Sequence, residues 1–123
     1  MIVTIRIAKS FAIAAKPLLK KYPSLKNDLI DLEKTLMDNP RHGIPLGHNA
    51  YKIRVKISSK GKGKSGGARI ISLLETTIIG ELLIESEEIT VNLIAIYDKA
   101  AIASISDKEL KDVIKQFYFN KPI

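Results

Sequence analysis

At 123 residues, with 46% apolar and 27% charged side chains, the chain has the make-up of one soluble folded domain. That length supports one core and is too short for two. There is no cysteine, which excludes a disulfide framework, a thiolate metal site and a cysteine nucleophile. No apolar run reaches the about 18 residues of a membrane span, and the first residues lack a signal-peptide core, so a cytoplasmic location without a membrane partner is expected.

Ile2 to Ile7 alternates Ile and Val with Thr and Arg, the period of a strand. Residues 9 to 22 place Phe11, Ala14, Ala15, Leu18 and Tyr22 on one helical stripe, with Pro17 inside it, where a kink or a split is expected. Ser24 is a candidate N-cap for a second helix, whose Leu25, Leu29, Leu32 and Leu36 repeat at helical spacing until Asn39-Pro40. Two helices joined so tightly should form a hairpin lying on a sheet. Residues 40 to 50, rich in Pro and Gly, read as a loop holding both histidines, His42 and His48. With no cysteine and no nearby carboxylate a metal site is not expected there, and each histidine is assigned to a phosphate contact or to solvent.

The stretch from Tyr51 to Leu74 carries Lys52, Arg54, Lys56, Lys60, Lys62, Lys64 and Arg69 and no acid. Those seven cations match the formal net charge of +7, since the other 13 Lys and Arg balance 13 Asp and Glu. So segregated a surplus points to a polyanionic partner. Ile53, Val55 and Ile57 alternate with Lys52, Arg54 and Lys56, which puts three cations in a row on the face opposite three buried aliphatics. Arg69 opens a second β-branched run after a glycine-rich turn, and the two runs read as an antiparallel hairpin. Within that turn, Gly63-Lys64-Ser65 completes the end of a phosphate-binding loop, but Ser58 stands where its first glycine belongs. Glycines and a β-branched run follow in place of the helix N-terminus such a loop requires, so nucleoside triphosphate binding is excluded.

Residues 75 to 88 are ambiguous, with Gly80 able to break or bulge a strand. Ile89 to Tyr97 alternates Val91, Leu93 and Ala95 with Asn92, Ile94 and Ile96, and its apolar second face suggests a central strand. Ser106 and Glu109 form a capping box, and Leu110, Val113, Ile114 and Phe117 supply the buried side of a last helix. The order β-α-α-β-β-β-α predicts a single α+β domain over 1–123. It has an N-terminal helical hairpin packed on a small twisted antiparallel sheet, and a C-terminal helix.

The element order, the Asn39-Pro40 helix exit, the run Tyr51-Lys52-Ile53-Arg54-Val55-Lys56 with the later Arg69, and Lys64-Ser65-Gly66-Gly67-Ala68-Arg69 together resemble the RelE branch of the RelE/ParE toxins. The resemblance covers almost the whole chain. It implies the toxin of a type II toxin–antitoxin system, an endoribonuclease that inhibits translation by cleaving mRNA on the ribosome without a metal or other cofactor. The catalytic set it implies is Lys52 as general base, Arg54 as a second cation of the row, Arg69 as a clamp on the scissile phosphate and Lys99 as general acid. A lysine becomes a base only where its pKa falls, which neighbouring like charge favours. Lys56, Lys60, Lys62, Lys64 and Tyr97 are the expected RNA-binding residues. Where the family has a tyrosine near the start of the last helix this chain has Ile105, and Tyr97 and Tyr51 are the aromatics placed to substitute. Implied partners are a cognate antitoxin protein, the ribosome with its mRNA, and operator DNA only through the antitoxin complex. Two other readings are a ParE-like toxin that inhibits DNA gyrase without cleaving nucleic acid, and a non-enzymatic RNA-binding domain. The row of Lys52, Arg54 and Arg69 argues against the first, whereas a basic strand serves binding as well as cleavage.

Overall fold

The computed structural model describes residues 2–60, 66–80, 85–99 and 105–120. Strand β1 (Ile2–Ile7) leads into helices α1 (Lys9–Lys21) and α2 (Leu25–Asp38), followed by strands β2 (Ile44–Gly47), β3 (Ala50–Val55), β4 (Ala68–Gly80) and β5 (Glu85–Asp98) and by helix α3 (Asp107–Phe119). The strands form one sheet in the order β1-β5-β4-β3-β2.

The sheet corrects the expected architecture in two ways. It is mixed, because β1 pairs parallel to β5 with Val3 opposite Ile89 and Ile7 opposite Leu93. The helical hairpin is not N-terminal either, since β1 precedes it. Short turns force antiparallel neighbours, but β1 and β5 are far apart in the chain, so nothing local in the sequence set their relative direction. The expected pairing of the two basic runs is present: β3 lies antiparallel to β4, with Arg54 opposite Arg69 and Ile53 opposite Ile70.

Three further expectations change. Residues 40 to 50 are not wholly loop, because β2 pairs antiparallel to β3. Pro45 is tolerated there because β2 is an edge strand. His48 and Asn49 make its two-residue turn at φ 56 and 61, the left-handed conformations that a twist-matched hairpin demands. Pro17 neither splits nor ends α1, which runs on to Lys21. The carbonyl four residues earlier, which loses its donor, belongs to Ile13 on the solvent side of the helix (63% exposed). Finally, β4 and β5 continue through residues where a break was open, pairing without interruption from Ser72 to Gly80.

Helices cover both faces of the sheet. On one, Phe11, Ala15, Leu25, Leu32 and Leu36 from α1 and α2 pack on Ile53, Val55, Ala68, Ile70, Leu74, Val91, Leu93 and Ile96. On the other, Leu110 with Val113, Ile114 and Phe117 of α3 packs on Ala50, Ile71, Leu73 and Ile94. The α3 N-terminus is held by the expected capping box: Glu109 N–H donates to Ser106 Oγ at 3.1 Å and Ser106 N–H to Glu109 Oε1 at 3.3 Å. Ser24 makes no such cap.

Candidate nucleic-acid interface

Strand alternation and register decide which cations meet. Odd positions of β3 turn to the helical hairpin, so Lys52 and Arg54 take the α3 face. Arg69, on β4, stands opposite Arg54, and Tyr97, on β5, stands opposite Arg69. Arg54, Arg69 and Tyr97 are thus one row across three strands, about 10 Å from first to last at ordinary strand spacing. Lys52 lies one step along β3 on the same face, opposite Ile71. Lys99 follows β5, its N–H donating to Gly67 O at 3.1 Å. Lys52, Arg54 and Arg69 of the expected catalytic set therefore share one face of the sheet, and Lys99 follows at the end of β5.

Tyr97 reaches this row through a β-bulge. Ile71 opposes Ala95 but Ser72 opposes Leu93, so Ile94 is an extra residue on β5. Before it, Val91 and Leu93 face the helical hairpin, and after it Ile96 does. Simple alternation from Val91 would send Tyr97 to the hairpin side; the bulge turns it to Arg69 and sends Asp98 the other way. The apolar run Leu93-Ile94-Ala95-Ile96, without alternation, is the signal in the sequence that such a shift was possible.

Exposure separates the members. Arg54 is exposed, Lys52 and Lys99 are half-buried, and Arg69 is only 5% exposed. Arg69 donates from Nη1 to Ala68 O at 3.2 Å. A clamp made directly by Arg69, as the family resemblance implies, would need that side chain uncovered; the guanidinium on the surface is Arg54. Tyr97 is 8% exposed, which does not suit an open stacking platform. Its hydroxyl makes no well-aligned hydrogen bond among the described residues. Burial raises its pKa above the usual phenol value; the Arg69 charge and the nearby Ile105 backbone N–H oppose this and Glu109 adds to it. Tyr97 stays a neutral donor.

Of the expected RNA-binding lysines, Lys60 is engaged within the fold and Lys56 is exposed. Lys60 sits on the helical-hairpin side, where its Nζ donates to Asp98 Oδ1 at 2.7 Å and to Gly66 O at 2.9 Å and lies 4.8 Å from the centre of the Tyr22 ring. Tyr22 donates to the other Asp98 oxygen at 2.6 Å. Hydrogen bonding to Asp98 raises the Lys60 pKa above 10.5, with burial opposing and Tyr22 assisting. Lys60 closes the base of the glycine-rich turn instead of reaching outward. Lys56 lies past the end of β3, where its charge acts on Asp28 of α2. With Arg54, His42, Asp28 and Asp31 it lines a cleft of about 320 Å³ along the outer edge of β3. Lys62 and Lys64 lie outside the described residues.

Asp28 is a residue that sequence reasoning missed. It accepts from Ser58 N–H at 3.0 Å, Ser58 Oγ at 2.6 Å and Ser24 Oγ at 2.9 Å, while Ser59 N–H donates to Ser24 Oγ at 2.8 Å. This ties the entry of the basic turn to α2 and explains why Ser24 does not cap its own helix. Burial, the largest single influence, pushes the Asp28 pKa up. The hydrogen bonds from Ser58 and Ser24, with Lys56, outweigh it and leave the pKa below 3.8.

Among the described residues no ion pair engages Lys52 or Arg54, and no group of three acidic, histidine or cysteine side chains is placed to hold a metal. No helix is long and apolar enough to cross a membrane. No family model matches the chain, and no curated protein or solved structure matches it.

Proposed function

We propose that this chain is a toxin of the RelE branch, an endoribonuclease that cleaves mRNA on the ribosome by side-chain chemistry without a metal. The observation that carries the reading is the cross-strand pair Arg54–Arg69, with Lys52 and Lys99 at its flanks. Like charges directly opposite on neighbouring strands are unfavourable. A phosphodiester between them turns that repulsion into two attractions, so the arrangement suits an anion that gains charge as it reacts.

In the proposed reaction Lys52 removes the proton of a 2′-hydroxyl, whose oxygen attacks the adjacent phosphorus. Arg54, from the surface, and Arg69, from below, stabilise the charge of the five-coordinate phosphorane. The bond to the 5′-oxygen breaks as Lys99 returns a proton to it, leaving a 2′,3′-cyclic phosphate and a 5′-hydroxyl. A cognate antitoxin would neutralise this surface in the resting cell, and operator DNA would be met only through that complex.

The low exposure of Arg69 favours one other reading, a non-enzymatic RNA-binding domain whose accessible cations are Arg54, Lys52 and Lys99. End-group analysis separates the two. Translating ribosomes treated with the protein should yield mRNA fragments ending in 2′,3′-cyclic phosphate, equally with and without a chelator. Binding without fragments would leave only the RNA-binding reading, and loss of cleavage with chelator would rule out the side-chain mechanism.

A further inference from the structure

We infer that the outer edge of β1 is a docking site for an extended segment of another protein in which apolar and acidic residues alternate. This surface lies at the other side of the sheet from β3, and the inference does not rest on the nuclease reading.

The sheet ends at β1 on this side. Ala8 N–H donates inward to Leu93 O at 3.0 Å, so alternation aims the backbone N–H and C=O of Val3, Ile5 and Ile7 away from β5. Sheet edges are ordinarily protected by lysine, proline or a bulge. β1 has no lysine or proline, its register with β5 runs unbroken, and Arg6 is its single charge. Ile2 and Ile7, at its ends, are 54% and 61% exposed. This edge is a template for a further strand.

What selects the strand lies on both sides of the edge. On the helical-hairpin face, Ile5 and Ile7 with Leu19, Leu29 and Ile30 line a mostly apolar cleft of about 230 Å³, to which Lys26 and Glu33 also contribute. On the α3 face, Arg6, Ile7, Lys9, Asn92, Gln116 and Phe117 line a second cleft of about 380 Å³, none of whose described lining residues is acidic. Ile7 belongs to both. An added strand sends successive side chains to opposite faces, so one would enter the apolar cleft and the next the cationic one. The complement is an aliphatic residue followed by Asp or Glu. A second copy of this chain fits poorly, because antiparallel pairing of two β1 strands brings two Arg6 side chains together in a protein that already carries +7.

The probe is a short fluorescent peptide of alternating leucine and glutamate, tested by anisotropy and by amide chemical shifts on the full chain. It should bind, shifting Val3, Ile5 and Ile7 most, while a leucine–lysine peptide should not. Ile7→Glu and Arg6→Glu, both at exposed positions, should each weaken binding by about tenfold or more, and Arg6→Glu should gain affinity for the leucine–lysine peptide. Arg54→Ala should leave binding unchanged, which separates this surface from the cationic row. Shifts centred on β3, equal binding of both peptides, or self-association through β1 would each overturn the inference.

Discussion

Arg69 and Lys60 show how two cations of one basic stretch come to do different work. Arg69 is buried in register with Arg54, which presents the exposed guanidinium of the pair. Lys60 is bound to a carboxylate that is itself 6% exposed. Removing one partner of such a pair strands the other, so Lys60→Ala should destabilise the fold by about 3 kcal/mol in urea denaturation. Because the folded pKa of Lys60 is raised, its contribution is complete below pH 10.5 and should be lost as pH climbs through the folded value. Asp28 has the opposite sign. Its folded pKa is depressed, so its hold on Ser58 and Ser59 is present above pH 3.8 and lost as pH falls through the folded value. Protection of the Ser58 and Ser59 amides relative to their intrinsic exchange rates should therefore fall at acid pH in the native chain, and Asp28→Asn should show that lower protection at neutral pH.

Elements give two further tests. Pro17 sits in the interior of α1 on its exposed side, removing the donor to Ile13 O. Pro17→Ala should restore that bond and raise stability, by up to about 3 kcal/mol, read as a shift in melting temperature. The Ile94 bulge gives the other. Deleting Ile94 removes a core residue but keeps the faces of Tyr97 and Asp98, because Ala95 then follows Leu93 in regular alternation opposite Ile71 and Ser72. The deletion should keep cooperative unfolding while losing about 2–5 kcal/mol, the scale of emptying a buried isoleucine, and Ile94→Val should lose about 1 kcal/mol.

Across the whole molecule, what could be read in advance is what local periodicity encodes. Every residue of the two helical stripes lies in the core or packs against it, and β3 and β4 pair as the alternation of Ile53 and Val55 with Lys52 and Arg54 implied. The parallel partnership of β1 and β5 was not legible, because it joins segments that share no turn. β2 was hidden by Pro45 and by two glycines that a sheet edge and a tight hairpin accommodate. Of the site, the shared face of Lys52, Arg54 and Arg69 followed from the strand pattern, and Lys99 was named by resemblance alone. Charge alone could not separate a cation facing RNA from one closing a turn, as Lys60 does. Burial is a property of the assembled fold, and it moves the weight of the proposed phosphate contact from Arg69 to Arg54.

In the proposed reaction the row across β3 and β4 performs the cleavage. Its most direct test is single-turnover primer extension on ribosome-bound mRNA for the wild type, Arg54→Ala, Lys52→Ala and Lys111→Ala. Lys111 is an exposed cation on α3, paired with Asp107 at 3.2 Å and outside the row. Arg54→Ala should slow cleavage by roughly 10²–10³-fold, the scale of losing one preorganised donor to a developing oxyanion. Lys52→Ala should slow it at least as much, while Lys111→Ala cleaves as the wild type. Undiminished cleavage by Arg54→Ala and Lys52→Ala would place the chemistry outside this row.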